Sequence, residues 1–131
     1  MLGAEDVIHT DSAPEAVGPY SQAVRAGDLV MCSGQVPLDA VSGELVGRTP
    51  GEQATQCLTN LTAVAEAAGA TLADAVRLTV YTTDLASFAE INEAYAAFFG
   101  RHPPARAAVG VAALPKGAQV EIDAILHVPR S

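Results

Sequence analysis

The chain has 131 residues, with 15 acidic and seven basic side chains and a formal net charge of −8; its pI is near 4.6. That length predicts one domain spanning residues 1–131, and the charge supplies no general basic field for nucleic-acid phosphates. Half of the residues are apolar and mean hydropathy is +0.25, yet no apolar run approaches the length of a membrane helix, so other copies of the chain are expected to cover part of the apolar surface.

The first residues, Met1 to Asp6, carry acids and lack a basic segment followed by an apolar one, so no secretory signal is expected. Cys32 and Cys57 show neither a disulfide framework nor metal-type spacing. They read as reduced, buried thiols in a cytoplasmic protein. Val7 to Thr10 is a short candidate strand. Gly18-Pro19 precedes a second, Tyr20 to Ala26, and the turn chemistry of Ala26-Gly27-Asp28 joins it to Leu29–Ser33 as a hairpin.

A polar, glycine-bearing loop leads to Thr49-Pro50-Gly51-Glu52, a strong helix start. Thr49 can cap, Pro50 suits the first helical position, and Glu52 can close a capping box. Ala54, Cys57, Leu58, Leu61, Val64, Ala65 and Ala68 follow at helical spacing, and Gly69 can end the helix. Gln53, Gln56, Thr59, Asn60 and Glu66 are assigned to the opposite, solvent-facing side. Ala75 to Thr83 reads as a strand, with Val76, Leu78 and Val80 on one face. Asp84 is expected to cap a second helix running to Phe99, with Phe88, Ile91, Tyr95, Phe98 and Phe99 as most of its apolar stripe.

The stretch from Pro103 to Leu126 holds two apolar runs around Pro115-Lys116-Gly117, which predicts two paired strands joined by a turn. Alternation places Val120, Ile122, Ala124 and Leu126 on a core face and Glu121, Asp123, Ile125 and His127 on the other. If Val109 and Val111 also face the core, Arg106, Ala108 and Gly110 point the same way as Glu121. The Arg106/Glu121 pair is then either an ion pair or a site. The order β-ββ-α-β-α-β-β predicts a two-layer α/β sandwich, a six-stranded mixed sheet with two helices on one face. The other face, expected to include Ala108, Gly110 and Ile125, would be left for association.

Several chemistries lack their residues. No phosphate-loop or Gly-x-Ser-x-Gly pattern occurs, the three histidines are dispersed, and no metal site or cofactor is expected. Lys116 is the only lysine, in an exposed-looking turn, which argues against a protein imine. Arg106 and Glu121 remain: a planar fork of donors suited to a carboxylate and a carboxylate able to take a proton from water.

Pro104-Ala105-Arg106-x-x-Val109, Leu114-Pro115-Lys116 and Val120-Glu121-Ile122 resemble the signature of the RidA/YjgF family, also called endoribonuclease L-PSP. Gly18-Pro19-Tyr20-Ser21-Gln22, Ser33-Gly34-Gln35, Asp84-Leu85 and Asn92 extend the resemblance over nearly the whole chain. It implies a chorismate-mutase-like homotrimer with ligand sites in clefts between subunits, and hydrolysis of reactive 2-imino acids and enamines to 2-keto acids and ammonia. It further implies that Arg106 binds the substrate carboxylate, that Glu121 places the attacking water, and that Tyr20, Ser33, Gly34, Asn92 and Ala108 line the cleft. Many deaminase members have Cys where Ala108 stands, so substrate preference is open at that position. A non-catalytic, small-carboxylate-binding or regulatory trimer is the alternative. The names ribonuclease and translation inhibitor also occur in the family, but the acidic charge and scattered arginines disfavour a nucleic-acid partner.

Overall fold

The computed structural model describes residues 1–130; Ser131, the last residue of the expected domain, lies outside them. In chain order the elements are β1 (Val7–Ile8), β2 (Ala23–Ala26), β3 (Leu29–Gln35), α1 (Pro50–Ala67), β4 (Ala75–Thr82), α2 (Phe88–Ala96), β5 (Ala105–Gly110) and β6 (Val120–His127). The strands form one six-stranded sheet in the order β1-β2-β3-β6-β4-β5. Only the β4–β5 pair is parallel, so the sheet is mixed, as expected.

Local chemistry accounts for most boundaries. Thr49 Oγ1 accepts from Glu52 N at 3.1 Å, and Glu52 Oε1 accepts from Thr49 N at 3.2 Å, closing the capping box of α1. Gly69 takes φ +77° just past the helix, where a side chain would be strained. Asp84 caps a 3-10 turn, Leu85–Ser87, and α2 itself begins at Phe88 and ends at Ala96. The second strand begins at Ala23, leaving Tyr20 in a loop.

The core lies between the sheet and the two helices. Val30, Leu78, Val80, Val120, Ile122 and Leu126 are fully buried from the sheet, opposite Leu58, Leu61, Val64 and Ile91 of the helices. Burying each of these side chains contributes about 1.5–3 kcal/mol. Val76 departs from the expected alternation: a register shift between Ala75 and Arg77 turns it outward, 45% exposed.

Three expectations need correction. The runs on either side of Pro115–Gly117 do not pair; β4 lies between β5 and β6. The alternating apolar β6 takes a central place with partners on both sides, whereas the Ala- and Gly-rich β5 becomes an exposed edge. Second, Arg106 and Glu121 do not share a sheet face. Arg106 is in register with Leu78, which pairs with Ala124 on the helix-covered side. Glu121 pairs with Tyr81, which pairs with Val109 on the uncovered side. Val109, the one valine within β5, thus faces away from the core, and Ala108 and Gly110 belong to the helix side. Third, the polar side of α1 does not all face solvent: Gln53 and Asn60 are buried.

Candidate active site

Glu121 sits on the uncovered face at the start of β6. Beside it, β3 makes an irregular passage in which Cys32 pairs with Ala124 and Gln35 with Ile122, so Ser33 and Gly34 together oppose one residue. The bulge brings the Gly34 backbone against the Glu121 side chain. A Cβ at Gly34 would collide with the carboxylate, its nearest carbon, Cδ, lying 2.9 Å away. The missing side chain at Gly34 is what lets the carboxylate lie this close to the β3 backbone.

A groove of about 490 Å³ opens in front of this carboxylate, walled by Val17 and Tyr20 from the N-terminal loop, Val36 and Leu38 after β3, and Lys116 from the turn before β6. Tyr20 is 52% exposed at its rim. Lys116 takes φ +62°, the only left-handed non-glycine backbone among the described residues.

The groove walls are loops, and buried amides fix them. Gln22 accepts from Thr10 N at 2.7 Å and donates to Pro14 O at 2.8 Å, pinning the N-terminal loop to β2. Asn60 donates to Val36 O at 3.2 Å and to Leu38 O at 3.1 Å, tying the segment after β3 to α1. Gln53 donates to Gly47 O at 3.2 Å and accepts from Gln119 N at 2.8 Å. The Ser33 hydroxyl donates to Ser21 O at 2.6 Å and Ser33 N to Gln22 O at 2.9 Å, so Ser33 braces the loop from behind rather than lining the groove.

Burial first, and the charge of Asp123 second, push the Glu121 carboxyl above its ordinary range. Asp123 is itself held on the same face, accepting from Tyr81 Oη at 3.0 Å and from Thr79 N at 3.2 Å. Glu121 is therefore a stronger base than an ordinary carboxylate. The two thiols are poor nucleophiles: burial pushes Cys32 up to about 12 and raises Cys57 as well. Among the described residues no cluster of His, Cys, Asp and Glu is arranged to hold a metal ion.

Arg106 lies elsewhere, on the edge strand under α2. Its Nη1 donates to Asn92 Oδ1 at 2.7 Å. The guanidinium carbon lies 4.9 Å from the centre of the Tyr95 ring and 5.4 Å from that of Phe88. Phe88, Asn92 and Tyr95 are spaced so that one stripe of α2 presents all three. Ala108 follows Arg106 on the same face, and Leu85 covers Gly110 beyond it.

The candidate residues thus fall into two groups. Tyr20, Gly34 and Glu121 share the groove, while Arg106, Asn92 and Ala108 share the β5–α2 edge. Reading the sequence missed the buried amides Gln22, Gln53 and Asn60, the Tyr81–Asp123 pair, and the rings around Arg106. Only the last left a usable signal, an aromatic stripe on the helix preceding the arginine.

Comparison with known proteins agrees with this architecture. The profile of the family described as Endoribonuclease L-PSP matches residues 10–128. A RutC family protein of Sinorhizobium fredii is 54% identical over 121 residues, covering 92% of this chain and 96% of that protein. The 2-iminobutanoate/2-iminopropanoate deaminase of Mus musculus is 48% identical over 119 residues, 91% of this chain and 88% of that one. The crystal structure of RidA from an Antarctic Psychrobacter has a TM-score of 0.90 at 49% identity, covering 93% of this chain and 98% of that chain.

Proposed function

We propose, for a chain that belongs to the endoribonuclease L-PSP (RidA/YjgF) family, that it hydrolyses reactive 2-imino acids to 2-keto acids and ammonia in sites shared between copies. The mouse relative is named for that activity on 2-iminobutanoate and 2-iminopropanoate. The observation that carries the reading is the placement of Arg106 and Glu121 on opposite sheet faces with β4 between them. One chain cannot bring both to one small substrate. Two copies can, if the β5–α2 edge of one docks at the groove of the next.

The uncovered sheet face supports such an assembly. Val7, Met31 and Val109 are 44%, 37% and 39% exposed there, and Val24 and Ile125 lie beside them. Val7, Val24, Met31 and Ile125 follow one another across four strands, and an exposed apolar band of this kind favours association. A closed, chorismate-mutase-like homotrimer would repeat the same heterologous contact three times.

The chemistry follows from the two groups. Arg106 grips the substrate carboxylate through its forked N–H donors, leaving the iminium carbon in front of Glu121. Glu121 takes a proton from water as the oxygen attacks that carbon, forming a carbinolamine. It returns the proton to nitrogen, the C–N bond breaks as C=O forms, and the hydroxyl proton leaves with ammonia as ammonium. Ala108 beside Arg106 leaves room for the substrate side chain, in a place where a larger residue would narrow it.

Subunit mixing tests this directly. Arg106→Ala and Glu121→Gln, each inactive alone on imines freshly generated from several amino acids, are unfolded and refolded together. Shared sites in a random trimer restore about a quarter of wild-type activity. Mixtures as inactive as their parents overturn the shared site, and wild-type protein that binds keto acids without turning over imines makes it a binder.

A further inference from the structure

Arg106 is held in an unusual way for a chain so rich in acid. Of 15 carboxylate side chains, none among the described residues pairs with it; the ion pairs there are His9–Asp11 and Arg130–Asp6. Its polar partner is the amide oxygen of Asn92 at 2.7 Å, and the rings of Tyr95 and Phe88 flank it. Acids stand close by on the same helix, Glu90 and Glu93. Glu90 Oε1 accepts from Gly51 N at 3.1 Å, which ties it to the start of α1.

An aspartate at position 92 would have the same size and a stronger hydrogen bond to a guanidinium, because ionised acceptors bind it roughly twice as strongly as neutral ones. It would also neutralise the cation and claim two of its donors. Asparagine occupies one N–H of the five that a guanidinium offers and leaves the charge whole. The aromatic faces steady the cation without cancelling it.

On the reading proposed above, we infer that Asn92 is a specificity-determining positioning residue, a neutral acceptor that orients the Arg106 fork while reserving its charge for a substrate carboxylate. Tyr95 and Phe88 serve as platforms in the same device. For Tyr95 it is the ring that counts, since its hydroxyl is buried with no hydrogen-bond partner among the described residues.

The structural and functional roles predict opposite rankings. If Asn92 only supports the fold, Asn92→Asp retains the contact and behaves as wild type, whereas Asn92→Ala is the damaged variant. If Asn92 reserves the charge, Asn92→Asp is the worse of the two. Titration with 2-oxobutanoate, a carboxylate that does not react, should then give a Kd raised about 10²-fold for Asn92→Asp and about tenfold for Asn92→Ala, each tenfold step being one lost interaction of ordinary size. The imine KM should follow Kd while kcat changes much less, and the melting temperature of Asn92→Asp should equal or exceed that of wild type. Tyr95→Leu, which loses the ring, should bind more weakly than Tyr95→Phe, which keeps it.

Wild-type Kd in the Asn92→Asp variant overturns the inference, as does equal weakening in Tyr95→Phe and Tyr95→Leu. A wild-type protein that binds 2-oxobutanoate without hydrolysing imines overturns the deaminase reading alone, and the Kd ranking still decides the role of Asn92.

Discussion

Glu121 lies half-buried against the backbone of β3 with a second carboxylate on its own strand face, whereas Arg106 lies exposed on an edge strand among neutral partners. The first arrangement makes an acid hold its proton more tightly, which is what a base needs. The second leaves a cation unneutralised, which is what an anion receptor needs. The supports differ accordingly. The groove depends on loops braced by buried amides, and the cradle depends on one stripe of a helix.

The largest effect expected is at the base. Glu121→Gln keeps the shape of the groove and removes proton transfer, so kcat should fall by about 10²–10⁴-fold while 2-oxobutanoate still binds. The same substitution should stabilise the fold at neutral pH. Burial and Asp123 raise the Glu121 carboxyl above its unfolded value, near 4.3 for a free Glu, so the folded state holds the proton more tightly. Above the raised value the ionised carboxylate weakens the fold, and that penalty fades as pH falls toward the unfolded value. Thermal melts should therefore show the Gln variant above wild type at pH 7 and level with it near pH 4. A wild-type rate in the Gln variant would make Glu121 structural.

Breaking the other side should act on binding. Arg106→Lys keeps the charge but loses the fork and its fit between two rings, so kcat/KM should drop by about 10²-fold, mainly through KM. Unchanged kcat/KM in a folded Lys variant removes Arg106 from the site.

How much of this was legible in the sequence follows from the range of the interactions. Helix starts and stops are local, and Thr49, Pro50, Glu52 and Gly69 could be read as they stand. The alternation of β6 is local too, and it placed Glu121 on the uncovered face. The face of Arg106 is not local. It depends on the register of β5 against β4, and an edge strand of Ala, Val and Gly carries no pattern strong enough to choose. Asn60 and Gln53 misled because a buried amide and an exposed one look alike until the loops they hold are placed. The motif points to Arg106 and Glu121; the topology places them on opposite faces of one chain, with β4 between their strands.

A smaller effect is expected at Gly34, and it sharpens the contrast by moving the base without touching the cation. Gly34→Ala puts a Cβ where the Glu121 carboxylate lies. The obstruction is the end of a flexible side chain, so the fold should tolerate it while the carboxylate shifts. Displacement of a catalytic group by about 1 Å can cost about 10²-fold, so kcat should fall by about 10–10²-fold with the Kd for 2-oxobutanoate little changed. An unaltered kcat would show that the close approach does not set the position of the base.

The smallest effect, and the finest probe of the groove, concerns Asp123. Its charge is one of the two causes that raise the Glu121 carboxyl, the larger being burial. The other groups around Glu121 are Tyr81 across the sheet on β4, Glu15 and Lys116 on the groove walls, and the Cys57 thiol on the helix side, which Glu121 itself raises. Tyr81 stays neutral at working pH because burial and its bond to Asp123 raise it further. Asp123→Asn removes one negative charge and keeps an oxygen to accept from Tyr81 or Thr79 N. With the repulsion gone, Glu121 loses its proton more readily, and the acid limb of the kcat/KM profile should move to lower pH. The plateau rate should fall by less than about tenfold, because a base that releases its proton more easily also abstracts one less strongly. The Arg106 end should not respond, so the Kd for 2-oxobutanoate stays at the wild-type value. A limb that stays in place would show that burial alone sets the base, and a limb that moves to higher pH would show that Asp123 supports the ionised form of Glu121 instead of opposing it.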